Sequence, residues 1–343
     1  MKKNFKRALK LLLFLAIVAV LYFILRKIGF SSIYSNLLIA DKKYIALAFL
    51  SGFAAFFLWN LKWWLLVREV AQASFWRVFL ILMAGSFVNT TTPGARVGGE
   101  PLRAYYLSRH YGLEKSKFFA TTISDKAVNT LVFGILSMFS MLFVILFVKV
   151  DVKIRIALEA VLLILILLIV SGIILRQKVG FKREYVMAIS KKIYYFSLFK
   201  ALRKRFATYK GFERYIIKKI NNMINVLKKT LKQKRVLAKD IALAFARWIF
   251  IYLGTYFLFK AFGYDISFTA IIIVVTLSIF IGSFMAVPGG MGFIETIMIS
   301  LYLSFGIGSG VAATVAVIDR AIFYFYSLLV GGICLLYLST RYK

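Results

Sequence analysis

The residues of this chain best placed to do chemistry come in two matching sets. Within "TPGARVGGEPLRA", Glu100 stands seven residues after Pro93, and within "VPGGMGFIET", Glu295 stands seven residues after Pro288. Asp125-Lys126 begins 25 residues beyond Glu100, and Asp319-Arg320 begins 24 residues beyond Glu295. A Gly-Ser-Phe triplet precedes each proline, at 85–87 and 282–284. Proline lacks an amide hydrogen and glycine accepts turn conformations, so Pro93-Gly94 and Pro288-Gly289-Gly290 stop a helix. A second helix can then start near Gly98, Gly99 and Pro101 in the first set, and near Gly292 in the other. A new helix N-terminus presents unpaired N–H groups and partial positive charge, which is a seat for an anion such as phosphate. Arg96 and Arg103 flank the first break, where guanidinium groups suit bidentate contact with phosphate oxygens. Glu100 and Glu295 would tune that site or carry a coupling proton. Asp125, Lys126, Asp319 and Arg320 either line a pathway or pair to hold a bundle together, and their types and spacing leave both roles open.

The elements that must position these groups are membrane helices. The chain is 62% apolar, with a net charge of +33. A soluble domain needs far more polar cover. Apolar runs at 8–25, 44–61, 128–148, 157–175, 241–259, 268–287 and 321–338 fit the roughly 20 residues that cross a bilayer as helix. The expected fold is an all-α polytopic bundle of about six full spans plus two hairpins that dip into the membrane and return. Eight full spans is the fallback. The run at 8–25 ends in Leu25-Arg26-Lys27 without a small-residue cleavage site, so it reads as an uncleaved first span.

Four features repeated in the same order divide the chain into a first repeat over 44–148 and a second over 241–338. Lys62-Trp63 and Arg247-Trp248 add a weaker match. Three spans between the two breaks would make the repeats inverted, as in many transporters, with a polar cavity between them. With both termini cytoplasmic, the cytoplasmic segments hold 33 of the 46 Lys and Arg and the outer segments 8. That bias obeys the positive-inside rule. Of the 33, 20 lie in the polar segment 176–240, where Ile216, Ile220, Met223, Leu227 and Leu231 recur at helical spacing among lysines. This pattern describes either a basic amphipathic helix on an anionic membrane surface or a solvated linker.

One cysteine, Cys334, and one histidine, His110, provide neither a disulfide nor a zinc cluster. "GARVGGE" lacks the Lys-Ser/Thr ending of a phosphate-binding loop, and no base-reading module accompanies the positive charge. The reading therefore calls for no cofactor, no metal and no nucleic acid. The expected partners are membrane lipids, anionic ones first. A second copy of the chain and a separately encoded lipid-modifying or glycosylation enzyme are the protein partners left open. The carboxylate pairs also leave open a membrane enzyme acting on a lipid phosphate, and the basic segment a scaffold that transports nothing.

"TPGARVGGEPLRA", the later "SDKA", "VPGGMGFIE" and the late "DRA" together resemble the lysylphosphatidylglycerol synthase transmembrane, or flippase-like, family. The resemblance spans nearly the whole chain. It implies movement of a lipid between leaflets of the cell membrane, without catalysis. The family motif falls here on Pro93, Gly94, Gly98, Gly99, Glu100 and Arg103, then on Pro288, Gly289, Gly290, Gly292 and Glu295. The chain stops soon after its last apolar run, so the soluble domain that attaches lysine to phosphatidylglycerol in multidomain members is expected to be missing. That leaves cargoes from phospholipids to polyprenyl-linked glycans in play.

Overall fold

A computed structural model describes residues 39–92, 98–148, 155–156, 158–163, 208–285 and 287–342. The expected first span, most of the run at 157–175, residues 176–207, Pro93, Gly94 and Arg96 lie outside the described residues. Everything assigned within them is helical: α1 (Lys42–Arg68), α2 (Phe75–Thr91), α3 (Gly99–Tyr111), α4 (Lys115–Phe147), α5 (Tyr209–Lys232), α6 (Lys234–Ala261), α7 (Phe268–Gly282), a single 3-10 turn (Pro288–Gly290) and α8 (Phe293–Ser304). The last helix, α9 (Ser309–Arg341), is continuous but widens into π geometry over Phe325–Val330.

Of these helices, α1, α4, α6 and α9 are long and apolar enough to cross a bilayer. At 17 and 15 residues, α2 and α7 reach only about 25 Å at 1.5 Å per residue, short of a hydrocarbon core of about 30 Å. The chain is thus an integral helical membrane protein, and its order is long–short–short–long, twice: α1–α4, then α6–α9.

The two quartets run in opposite directions. The amide of Asp41, the cap of α1, donates to the carbonyl of Ala261 at the far end of α6 (2.9 Å), while Lys62, near the other end of α1, reaches Asp240 near the start of α6. The helices that open the two repeats are therefore antiparallel partners. The first short pair is a re-entrant hairpin: the Tyr111 hydroxyl closing α3 accepts from the Ser74 amide that opens α2 (3.1 Å). In the second, Tyr302 near the end of α8 packs its ring on Phe259, in the last turn of α6 that leads into α7. Since α2 follows the end of α1 and α7 the end of α6, the hairpins enter from opposite faces.

Close packing within each hairpin explains these glycines. A Cβ on Gly99 would sit 2.2 Å from the Gly85 carbonyl oxygen, and one on Gly282 would sit 2.4 Å from Ile294. The second break also needs left-handed backbone at Gly289, Gly290 and Gly292 (φ 63°, 71° and 80°), a region where side chains are strained.

One face of the bundle gathers the ends of α1, α3 and α9 and the start of α6. Gln233 donates to Glu69 (2.7 Å), and His110 is hydrogen bonded to Tyr342. Within the polar segment, the expected amphipathic helix forms as α5, and Phe212 in its first turn is buried. Asp240, grouped by sequence with that polar segment, is instead 1% exposed inside the bundle.

Candidate functional site: a charged cavity between the repeats

A cavity of about 290 Å³ lies between the two quartets. Its walls are largely aromatic and aliphatic, including Phe56, Trp59, Phe133, Trp248, Phe323 and Tyr326. Into these walls are set four cations, Arg103, Lys126, Arg247 and Arg320, and three carboxylates, Glu100, Asp125 and Asp319. Charges this deep in hydrocarbon are costly unless partnered, and the partners decide what each can do.

In the first quartet the ionic centre is Asp125. Its Oδ1 lies 2.6 Å from Lys62 Nζ, and its Oδ2 accepts from Arg103 Nη2 (2.9 Å) and Trp59 Nε1 (3.1 Å). Lys62 Nζ also donates to the Asp125 carbonyl (3.1 Å) and lies 3.0 Å from Asp240 Oδ1, so one ammonium is shared between two carboxylates. The Arg103 guanidinium lies 3.7 Å from the centre of the Trp63 ring. Arg103 therefore faces the cavity from within a fixed frame and does not sit loose beside the helix break.

Glu100, 4% exposed, is bound to Lys126 (3.4 Å) and accepts from Asn89 (3.4 Å). Asn89 in turn accepts the Gly99 amide at 2.7 Å, so a side chain from α2 caps the first amide of α3. Gly98 forms the cap position itself. Lys126 lines the cavity and is one-third exposed, far more than Arg103 or Arg320.

The second quartet repeats the plan with different partners. Glu295 accepts the Gly292 amide at 2.7 Å and the Tyr324 hydroxyl at 3.1 Å, so the carboxylate caps its own helix. It stands behind the cavity wall, and Pro288, Gly289 and Gly290 form the turn that places it there. Asp319 accepts from Thr255 (2.7 Å) and binds its neighbour Arg320 (2.6 Å). A Cβ on Gly289 would lie 3.1 Å from Thr90, which brings the second break beside the end of α2.

The structure thus gathers Glu100, Arg103, Asp125, Lys126, Asp319 and Arg320 around one cavity. It adds groups that sequence reasoning missed, namely Trp59, Asn89, Thr255, Tyr324 and above all Asp240. Lys62 and Arg247 had left a signal, a lone cation inside an apolar run followed by tryptophan in both repeats.

Antiparallel quartets of membrane helices, each with a broken re-entrant pair and enclosing a charged cavity, define an integral membrane protein of inverted-repeat architecture. The family described as the lysylphosphatidylglycerol synthase TM region matches residues 7–331, and the chain belongs to it. It is similar to a UPF0104 membrane protein of Methanothermobacter thermautotrophicus, 28% identical over 88% of this chain and 87% of that protein. A UPF0104 membrane protein of Methanocaldococcus jannaschii is 28% identical over 96% of this chain and 93% of its own length. One from Pyrococcus horikoshii is 28% identical over 87% and 88%, respectively.

Proposed function

We propose that this protein moves an anionic lipid, a phospholipid or a polyprenyl-phosphate-linked lipid, between leaflets through the cavity between its repeats. The observation that carries this reading is the wall itself, which holds four cations against three carboxylates in an aromatic surround. A phosphate would be drawn to Lys126, Arg103 and Arg247, while the aromatic and aliphatic wall would accept the first carbons of the chain. Two hairpins entered from opposite faces suit a cavity that opens to each side in turn. No bond need be broken for such a cycle, so the proposal is transport without catalysis.

The face that gathers the ends of α1, α3 and α9 carries Arg68, Arg77, Arg109, Lys234, Arg235 and Arg341. The positive-inside rule supports placing it, and the C-terminus with it, on the cytoplasmic side of the cell membrane.

Reconstitution into vesicles with fluorescent lipids of several headgroups tests the reading. Wild-type protein should speed leaflet exchange of an anionic lipid, and Glu100→Gln and Glu295→Gln should slow it. Exchange no faster than in protein-free vesicles, for every headgroup, would remove the proposal.

A further inference from the structure

The charges around the cavity balance. Five cations stand in the wall or touch it through a partner: Lys62, Arg103, Lys126, Arg247 and Arg320. Five carboxylates do the same: Glu100, Asp125 and Asp319 in the wall, Glu295 through its charge interaction with Arg320, and Asp240 through Lys62 and Asp125. Among the described residues the resting interior is therefore neutral. An anionic headgroup entering it leaves one uncompensated negative charge in a poorly polarisable setting, a large cost that a proton can cancel.

One carboxylate is built to take that proton. Asp240 is 1% exposed, and among the described residues neither of its oxygens has a hydrogen-bond donor and its one ion-pair partner is Lys62, which it shares with Asp125. Among the described residues, the charged groups facing it are Lys62 from α1 and, through Lys62, Asp125 from α4. Lys234, Arg235 and Lys239 on its own helix are exposed. Asp125, in contrast, has Lys62, Arg103 and Trp59.

We infer that Asp240 is a proton-binding site coupled to occupancy of the cavity, and that each anion bound brings in one proton. This rests on the transport reading above. A phosphate oxygen that takes hydrogen bonds from Arg103 withdraws them from Asp125. Asp125 then depends on Lys62, and Asp240 loses its share of that ammonium. A proton from water binds a carboxylate oxygen of Asp240 and forms an O–H bond, while Lys62 stays charged. One negative charge and one positive charge have entered, so the interior is neutral again. Asp240 belongs to α6 and the other members of the network to α1, α3 and α4, so the same event loosens the ionic tie between the repeats. Proton uptake and movement of the repeats are thereby one step.

The experiment is calorimetric titration of the purified full chain in detergent with dihexanoyl phosphatidylglycerol, whose phosphodiester keeps a single charge across pH 5–8. Buffers of differing ionisation enthalpy report protons taken up per lipid bound. Wild type should take up close to one proton at the alkaline end. Where it does so, its apparent Kd should weaken about tenfold per pH unit, the change that one linked proton produces. Asp240→Asn should bind with no uptake and a flat pH profile, and Asp240→Glu should restore both. Binding by wild type without proton uptake overturns this inference and leaves the transport reading standing. So does undiminished uptake by Asp240→Asn, which would assign the proton to another carboxylate such as Glu100. Failure of wild type to bind either this lipid or farnesyl phosphate overturns both readings together. If Asp240→Asn does not fold, Glu100→Gln decides in its place: uptake retained by that variant supports Asp240, and uptake lost with it overturns the inference.

Discussion

Lys62 Nζ lies 3.0 Å from Asp240 Oδ1, and this contact joins the opening helices of the two repeats across 178 positions of sequence. Both side chains are buried, at 0% and 1% exposure, so each is paired in a setting where neither survives alone. The same ammonium holds Asp125, which holds Arg103, which faces the cavity. A change of occupancy in the cavity is therefore felt at the junction between the repeats.

Replacing Lys62 with Met should destabilise the protein by about 3–5 kcal/mol, because two buried carboxylates lose their shared cation. Thermal unfolding in detergent measures this. Adding Asp240→Leu to Lys62→Met should recover part of the loss, since it removes one stranded charge.

The glycines at the first hairpin make a sharper contrast. Gly99→Ala forces a methyl group against the Gly85 carbonyl and should cost at least about 1–3 kcal/mol, the usual range for overpacking. Gly134→Ala, where a Cβ meets nothing within 4 Å, should be neutral or stabilising by up to about 1 kcal/mol through better helix propensity. Paired melting curves in one detergent decide between them.

Glu295→Ala should cost about 1–2 kcal/mol, since it removes the cap on Gly292 and the acceptor for Tyr324. Glu295→Gln retains an acceptor oxygen for one of these bonds and should melt between the two. Transport by Glu295→Gln that falls further than its stability would tie the charge itself to function.

Arg103→Lys should weaken binding of dihexanoyl phosphatidylglycerol by about tenfold or more in the same calorimetric assay. Lysine keeps the charge but gives up the planar fork and the stacking on Trp63. Affinity equal to wild type would show that Arg103 serves Asp125 alone.

His110 predicts a pH effect at the face where the ends of α3 and α9 meet. Burial, then the nearby Arg77 and Arg341, hold its imidazole below the ordinary value of 6.5. The folded state thus prefers the neutral ring, and the unfolded state binds the proton more readily. Its contribution is intact above pH 6.5 and is lost as the pH falls through the depressed folded value. Protection of the C-terminal turn against proteolysis should decline over that acid range, and His110→Gln should flatten the decline.

Several features were legible without coordinates because they are local. A Pro-Gly break stops a helix wherever it stands, and long apolar runs must be helices in hydrocarbon, since no water satisfies their backbone. The repeat of Gly-Ser-Phe, Pro-Gly, Glu and Asp-cation was readable as spacing, and the described parts of both hairpins follow it. The amphipathic character of α5 was likewise visible in its 3.6-residue period.

Pairing was not legible. Arg103 reads as a phosphate clamp from its place beside the break, yet it is anchored by Asp125 and by Trp63 stacking. Asp240 reads as the end of a polar cytoplasmic segment, yet it is buried against Lys62. Glu100 and Glu295 match in sequence but differ in use, because Asn89 caps α3 in one repeat and Glu295 caps its own helix in the other. Sequence alone determined the solvent, the elements and their twofold plan, since these follow from composition and nearest-neighbour chemistry. Tertiary structure decided which charges meet, because an ion pair depends on how two helices are rotated and how deeply each sits. Neither quantity leaves a mark within a single helix.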